Sequence, residues 1–385
     1  MKFQVLDIVP HQRNPVTGER VSADQRLHQV VDTAVRAEAL GYDSFSVGER
    51  HAGQFLSAAP ATILAAIAAR TTTIRLHTGV TVLSILDPVR VAEDYATVDQ
   101  LSRGRLEVGI GKGNEVAQYP LFGLHLEDQW ELLAEKYALL RRLWAEERVN
   151  WSGRFRSALA EVTTLPRPYA GPPRVWHGSA TSLISAELAA RWGDPLFTAN
   201  AIQPRENYRV LIEHYRQEYA AYGHDPAHQY LGAGAGAGGI FLADTTQEAR
   251  RQFGPVYEGL TRDRDVPGNN TPFRDIDHAI AAGPSLVGSP EQVIDKILSY
   301  HEAYGHDLQA FSLPTTLPFE NQLEVLERFA LEVVPVVRAA APTTLWGDND
   351  PWARRPGRPD HRTDTDSVLP PPLTTGPART FQETP

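Results

Sequence analysis

One stretch of the chain, from Arg75 to Gly113, constrains the possible folds more than any other. It begins with a segment rich in β-branched residues, from Ile74 to Leu83, which is typical of a strand. Asp87 then precedes Pro88, an arrangement that favours a capped helix start. A second strand and a glycine-rich loop follow. A strand-helix-strand unit of this length predicts two parallel strands joined by a right-handed crossover.

The rest of the chain repeats the alternation of strands and helices. Strands are predicted at residues 3–9, 44–47, 74–83, 106–110, 174–177, 195–198, 238–242 and 309–313. Helices are predicted to start near residues 24, 60, 88, 128, 182, 204, 246, 289 and 320. Eight such strands, nearly all followed by helices, predict a closed (β/α)8 barrel, a TIM barrel, over residues 1–340. An open, doubly wound sheet is the alternative that periodicity leaves open.

Three segments lie outside this alternation. Residues 150–173 contain four prolines and are predicted to form an excursion with a small hairpin. Residues 258–283 are polar and punctuated by glycine and proline, which predicts a mobile lid inserted before the last strand. Residues 341–385 hold nine of the 29 prolines and few aliphatic residues. This C-terminal tail is predicted to be disordered.

The composition excludes several classes of function. A net charge of -10 argues against nucleic acid as a partner, because binding to phosphates needs concentrated positive charge. The chain has no cysteine, which excludes disulfides, thiolate metal sites and a cysteine nucleophile. No segment reaches the roughly 20 apolar residues of a membrane helix, and no signal peptide is recognisable. These features predict a cytoplasmic protein that does not associate with membranes.

The loop from Gly109 to Gly113 has the composition of an anion site. Its glycines leave the backbone N–H groups accessible, and Lys112 adds a positive charge. It is not the dinucleotide fingerprint, because Asn114 stands where the last glycine belongs. A tight turn at the end of a strand is the structural alternative.

The loop from Gly178 to Ser182 is a second candidate. It lies between a strand and a helix, where free N–H groups and the helix dipole favour a phosphate. Ser179, Thr181 and Ser182 add three hydroxyl groups. An ordinary helix cap is the alternative here. In a barrel both loops lie at the C-terminal end, where the active sites of this fold are found.

His51 follows the second strand at the same end of the predicted barrel. Histidine is suited to general acid–base catalysis near neutral pH, although a single histidine is often only structural. The other histidines show no spacing typical of a metal site, and no metal is predicted.

Several segments together resemble the bacterial luciferase-like, flavin-dependent monooxygenases, over about residues 1 to 335. They are Glu49–His51, the sequence DPVRVAED at residues 87–94, DQLSRGR at 99–105, GIGKG at 109–113 and LVGSPE at 286–291. The resemblance implies a (β/α)8 barrel that binds FMN at its C-terminal end.

The resemblance also implies roles for individual residues. His51 corresponds to the catalytic histidine of the luciferases, which assists formation and reaction of the flavin C4a-hydroperoxide. Gly79 and Val80 lie where the family often has a cis non-prolyl peptide beside the flavin ring. The phosphate is expected at the two loops already described. The residues implied in those loops are Gly111, Lys112, Gly113, Gly178, Ser179, Thr181 and Ser182.

Three positions depart from the family pattern. Gly111 stands where luciferase itself has a reactive cysteine, so the resemblance does not extend to light emission. Gly178 replaces an acidic residue. Lys112 replaces an arginine, and a lysine does not reproduce the bidentate geometry of a guanidinium.

The expected function is therefore oxygenation of a small organic substrate, with reduced FMN as co-substrate and O2 as oxidant. A separate flavin reductase is expected to deliver the reduced FMN, since no nicotinamide fingerprint is visible, and a homodimer is expected from the family. One alternative is an F420-dependent enzyme of the same fold that transfers hydride. Another is a flavin-binding protein without catalytic activity.

Overall fold

Eight parallel strands pair in chain order and close into a barrel, which confirms the predicted (β/α)8 architecture. The computed structural model describes residues 1–198, 204–235, 239–262, 273, 275–348 and 350. The barrel strands are Lys2–Asp7, Ser44–Val47, Arg75–Thr81, Leu106–Ile110, Val175–Ser179, Leu196–Thr198, Leu231–Ala235 and Leu308–Phe311. The last strand pairs with the first, so no strand of the barrel has a free edge.

Helices surround the barrel and bury their apolar faces against its strands. The α-helices are Ala23–Ala39, Pro60–Arg70, Pro88–Ser102, Gln118–Leu121, Gln129–Ala145, Leu183–Trp192, Arg205–Ala221, Thr246–Arg262, Ile276–Ala281, Pro290–Tyr304, Phe319–Arg328 and Val334–Ala340. Short 3₁₀ turns occur at Leu126–Asp128 and Pro226–His228, and a π-helical segment at Phe329–Val333 joins the last two helices. Within the described part of the chain, no helix is both long and apolar enough to cross a membrane.

The strand-helix-strand unit that organises the sequence forms as predicted. The Asp87 side chain accepts hydrogen bonds from the N–H groups of Val89 and Arg90, at 2.8 and 3.4 Å. Pro88 begins the helix, where its missing N–H costs nothing. Arg103 ends the helix in the left-handed conformation, with φ of 56°. The helix is therefore fixed at both ends, and it begins at the residues that the sequence predicts.

The position of the seventh barrel strand is where the sequence prediction is wrong. Residues 238–242 were predicted to form it, but Ile240–Leu242 pairs with Leu286–Gly288 in a separate two-stranded sheet. The barrel strand is Leu231–Ala235, which lacks the β-branched residues typical of strands. A packing constraint explains its composition: a Cβ on Gly232 would lie 2.4 Å from the Phe197 ring. Only a glycine fits beside that inward-facing aromatic side chain.

The two other irregular segments agree in part with their predictions. The hairpin is confirmed, because Val149–Trp151 pairs antiparallel with Leu159–Val162. In the predicted lid, the first residues continue the helix Thr246–Arg262, and the segment Ile276–Ala281 is also helical. Most of the lid sequence between them lies outside the described residues, so its function as a lid stays a prediction.

The packed part of the chain extends beyond Ala341, where the tail was predicted to begin. Residues 341–348 and 350, which we call the C-terminal strap, lie across the N-terminal end of the barrel. Leu345 and Asp350 are buried there. Asp350 pairs with the fully buried Arg174, which immediately precedes a barrel strand. The boundary at residue 340 therefore lies about ten residues too early, and the remaining tail falls outside the described residues.

Two buried histidines are expected to make the protein sensitive to acid. Burial lowers the pKa of His77 to about 4 and that of His306 to about 3. In the unfolded chain a histidine binds its proton near pH 6.5. Between these values the unfolded state holds more protons, so stability is lost as the pH falls. The expected decrease in the free energy of unfolding is about 1.4 kcal/mol per pH unit for each histidine.

Urea unfolding at a series of pH values between about 6.5 and 4 tests this expectation. The double variant His77→Gln, His306→Gln should show a much weaker dependence on pH than the wild type. The matched control is His28→Gln, since His28 is exposed. An unchanged pH dependence in the double variant would refute the assignment to these two residues.

Candidate active site

A cavity of about 260 Å³ opens at the C-terminal end of the barrel. All nine residues predicted to bind the cofactor line it. They are Gly79, Val80, Gly111, Lys112, Gly113, Gly178, Ser179, Thr181 and Ser182. The structure therefore brings together three segments, at residues 79–80, 111–113 and 178–182, that are far apart in the sequence. This is the end of the fold at which the active sites of (β/α)8 barrels are found.

The loop after the fourth strand is fixed by its backbone. The Lys112 carbonyl accepts three hydrogen bonds, from Ser84 Oγ at 3.0 Å, Gln118 Nε2 at 3.1 Å and Tyr119 Oη at 2.8 Å. Gly113 has φ of +72°, and a Cβ there would lie 2.1 Å from Gln118 Nε2. A side chain at position 113 would disrupt this arrangement, so Gly113 helps to hold Lys112 in place.

The Lys112 ammonium group has no carboxylate partner in the part of the chain that the structure describes. Its Nζ donates to the Gly113 carbonyl at 3.1 Å and lies 5.5 Å from the centre of the Trp130 ring. Burial lowers the pKa of the lysine. A partly buried cation is normally compensated by an anion, since its desolvation is costly. Lys112 therefore has the properties of an anion-binding residue.

The loop after the fifth strand presents an open helix start to the same cavity. Ser179 Oγ accepts from the Ser182 N–H at 3.2 Å and donates to the Ser182 carbonyl at 3.0 Å, which fixes the turn. The helix Leu183–Trp192 follows. Among the described residues, the side chain of its N-cap residue, Ser182, accepts no hydrogen bond from the first turn. The N–H groups of its first turn are thus free to bind an anion.

A cis peptide bond joins Gly79 and Val80 between the two loops, as the family resemblance implied. The Val80 side chain occupies space that two glycines leave open. A Cβ on Gly178 would lie 2.6 Å from Val80 Cγ1, and one on Gly111 would lie 3.0 Å from Val80 Cγ2. Contact with Val80 thus explains the glycines at two of the three positions at which the sequence departs from the family, Gly111 and Gly178.

His51 is held at the edge of the site rather than on the cavity surface. Its Nε2 lies 2.7 Å from Glu49 Oε1, and its ring meets that of Phe122 edge to face. Glu49 lines the cavity, whereas His51 is not among the lining residues. The second Glu49 oxygen accepts from the Val82 N–H at 2.9 Å. A carboxylate-imidazole pair therefore borders the cavity, and Glu49 is its inner member.

Arg50 connects two loops at the mouth of the cavity. It pairs with Glu115 at 3.0 Å and donates to Asn114, both in the loop after the fourth strand. Its guanidinium group also lies 5.0 Å from the centre of the Phe55 ring. Burial lowers the pKa of Arg50, and Glu115 opposes this shift. The charge of Arg50 is therefore compensated by a carboxylate, whereas that of Lys112 is not compensated among the described residues. Arg50 therefore has a positioning role.

Sequence reasoning missed several residues that line the cavity. Glu49 and Arg50 were named only as neighbours of His51. Gln4, His77 and Phe197 were not named, although each lies on a predicted strand and faces the barrel interior. Alternation along those strands was the signal available, because side chains of one parity point inward. Among the described residues, no group of acidic and histidine side chains is arranged to hold a metal ion.

Comparison with known proteins identifies the family. The model of the luciferase-like monooxygenase family matches residues 1–307. The oxygenase component of a flavin-dependent trigonelline monooxygenase from Acinetobacter baylyi is 26% identical over 346 residues, covering 82% of this chain and 92% of that protein. An F420-dependent glucose-6-phosphate dehydrogenase from Beutenbergia cavernae is 30% identical over 351 residues, covering 84% and 97%.

A solved structure agrees with these relatives. The crystal structure of the monooxygenase RslO1 from Streptomyces bottropensis superimposes with a TM-score of 0.76 at 30% identity. The alignment covers 87% of this chain and 99% of that one. With the barrel, the cavity and the family match together, the chain is an oxidoreductase that belongs to the luciferase-like monooxygenase family.

Proposed function

We propose that this protein is a flavin-dependent monooxygenase that uses reduced FMN and O2 to oxygenate a small organic substrate. The observation that carries the proposal is the uncompensated Lys112 cation, which shares one cavity with an open helix start. A cation and free backbone N–H groups are the two elements of a phosphate site. The relation to a flavin-dependent oxygenase component supports the same assignment.

The residues fit the cofactor in a second respect. Gly111, Gly178 and Val80 all line the cavity, and the absence of side chains on the two glycines lets Val80 lie between the two loops. In the proposal the flavin ring lies against this part of the cavity wall. When bound, reduced FMN would supply the activation of O2, with one oxygen atom inserted into the substrate and the other leaving as water.

In this proposal the protein residues divide the remaining work. Lys112 and the first turn of the helix Leu183–Trp192 hold the phosphate, and Ser179 keeps that turn in place. The pair of Glu49 and His51 holds a proton between Oε1 and Nε2 at the cavity edge, which suits general acid–base catalysis.

Rapid mixing of the enzyme-bound reduced FMN with O2 tests this function. We expect oxidised flavin and hydrogen peroxide to form more slowly than from free reduced FMN, because the site protects the reaction from water. His51→Ala should accelerate both by on the order of tenfold or more, since the proton is no longer held. The readouts are flavin absorbance and peroxide concentration.

His28→Ala is the matched control, because His28 is exposed and does not line the cavity. Its kinetics should equal those of the wild type. If the wild-type protein reoxidises FMN at the rate of the free cofactor, the oxygenase proposal fails. If it protects FMN but His51→Ala behaves identically, the role of His51 fails while that of the cavity stands.

F420-dependent hydride transfer is the second candidate, because the F420-dependent relative from Beutenbergia cavernae aligns with this chain over 97% of its own length. The same phosphate-binding loops would serve that cofactor. Parallel titrations with FMN and F420 separate the two functions. Tight binding of F420 with weak binding of FMN would favour the dehydrogenase, and the reverse favours the oxygenase.

Two partner assignments belong to the proposal as well. The oxygenase component from Acinetobacter baylyi supports the expectation of a separate flavin reductase. The homodimer and the cytoplasmic location stay predictions.

A further inference from the structure

His77 lies at the inner end of the cavity, away from the phosphate loops. Its strand, Arg75–Thr81, directs the ring into the barrel, and His77 lines the cavity although only 2% of its surface is exposed. Ser46 is its register partner on the neighbouring strand, so the two side chains point into the same space. Ser46 is fully buried.

Both side chains have unused hydrogen-bonding capacity. Neither His77 Nδ1 nor Nε2 has a hydrogen-bond partner of good geometry among the described residues, and the same holds for Ser46 Oγ. The Thr78 backbone contacts the imidazole and opposes the lowering of its pKa by burial. Buried polar atoms are nearly always paired, and leaving one unpaired costs about 1–3 kcal/mol. His77 is the member of this pair that lines the cavity, so its unpaired ring nitrogens indicate a ligand, and Ser46 lies beside it on the neighbouring strand.

The neighbouring acidic residue does not satisfy His77. Glu107 is the register partner of His77 on the next strand. Its carboxylate accepts from Trp176 Nε1 at 2.6 Å, from Trp346 Nε1 at 2.7 Å and from Arg75 at 3.2 Å. Burial lowers the pKa of His77 to about 4, although Glu107 opposes the shift, so the ring is neutral near pH 7. A neutral imidazole offers one donor and one acceptor.

The part of the cavity beside His77 is lined mainly by glycine and apolar residues, and the polar side chains of Gln4 and Thr78 there bind within the protein. A Cβ on Gly79 would lie 2.5 Å from Ser46 Oγ and one on Gly109 would lie 3.3 Å from His77 Cε1, so the two glycines leave the room that Ser46 and His77 occupy. Leu6 and Phe197 also line this end of the cavity. The cations on this side of the barrel, Arg75 and Arg174, are engaged in ion pairs with Glu107 and Asp350. The site therefore favours an uncharged ligand.

We propose that His77, assisted by Ser46, binds the single oxygen function, carbonyl or hydroxyl, of an uncharged and otherwise apolar organic substrate. This inference rests on the proposed function, because it treats the cavity as the substrate site. His77 is thereby assigned a specificity role, separate from the proton role of Glu49 and His51.

Matched pairs of small probes test the proposal. Cyclohexanone and methylenecyclohexane differ only in the oxygen atom, and cyclohexanol is paired with methylcyclohexane in the same way. Ligand-observed NMR gives the dissociation constants, with and without FMN. For each pair, the preference is the ratio of the two dissociation constants. In at least one pair, the preference of the wild-type protein for the oxygen-containing probe should be about fivefold greater than that of His77→Leu, because one neutral hydrogen bond is lost.

A second readout reports on the ring itself. In protein labelled with 15N-histidine, the oxygen-containing probe should shift the His77 ring signals, whereas its hydrocarbon partner should not. His77→Gln should recover part of the preference, and Ser46→Ala should lose part of it. The result that overturns the proposal is an equal preference in wild type and His77→Leu for both pairs, or no saturable binding of any probe.

The outcome is independent of the cofactor assignment. FMN affinity is measured on the same variants and should not change in Ser46→Ala. If the probes bind with the expected preference but FMN does not bind, the proposed function is refuted and the role of His77 stands. If FMN binds but the probes show no preference, the role of His77 is refuted and the proposed function stands.

Discussion

Removal of residues 342–385 should lower the free energy of unfolding by about 3–5 kcal/mol, the range measured when one partner of a buried ion pair is lost. The strap supplies such a partner, because Asp350 pairs with Arg174 and both side chains are fully buried. Leu345, which is also fully buried, would be lost with it. Loss of a buried leucine alone typically costs about 2–5 kcal/mol.

The strap also completes a polar network at the N-terminal end of the barrel. Trp346 Nε1 donates to Glu107 at 2.7 Å, and its N–H donates to Asp350 at 2.7 Å. Thr343 donates to Asp307 at 2.5 Å. Truncation therefore exposes a charged interior in addition to an apolar surface. The effect falls on stability, since this end of the fold does not carry the active site.

Urea unfolding followed by tryptophan fluorescence gives the measurement. The matched control is a chain that ends at Asp350, which lacks the rest of the tail but keeps the strap. We expect that control to unfold like the full-length protein. Equal stability of all three chains would show that the strap contributes nothing to folding.

Replacement of Lys112 by methionine should weaken FMN binding by about 10- to 100-fold, which corresponds to one hydrogen bond to a charged group. The lysine has no anionic partner among the described residues, so the substitution removes no internal ion pair. The protein should therefore fold normally and lose affinity only. Lys112→Arg keeps the charge and should retain part of the affinity.

Flavin fluorescence titration measures these changes. Lys2→Met is the control, because it also removes one positive charge but lies at the start of a strand, at the opposite end of the barrel. Its FMN affinity should equal that of the wild type. If Lys112→Met binds FMN as tightly as Lys2→Met does, the phosphate is not held at this loop.

Local sequence signals were sufficient for the elements that position the cofactor site. Asp87 before Pro88 marked a helix start, and the glycines around Lys112 marked a loop at a strand end; both are confirmed. These features depend on residues close in sequence, which is why they could be predicted. The order of strands around the barrel followed from the strand-helix alternation.

Features that depend on distant contacts could not be predicted. Leu231–Ala235 is a strand because its glycines accommodate Phe197, which lies more than 30 residues earlier. The strap is packed because Asp350 meets Arg174, in a segment whose composition is otherwise typical of disorder. Strand alternation could place His77 inside the barrel, but its unpaired ring nitrogens are visible only in the folded protein.

The most direct test of the account compares FMN with riboflavin, which has the same ring but no phosphate, on the wild-type protein. If Lys112 and the helix start at Leu183 together bind a phosphate dianion, FMN should bind at least about 100-fold more tightly than riboflavin. The difference should diminish as salt is added, because the interaction is electrostatic. Equal affinities for the two flavins, or no binding of either, would contradict the account.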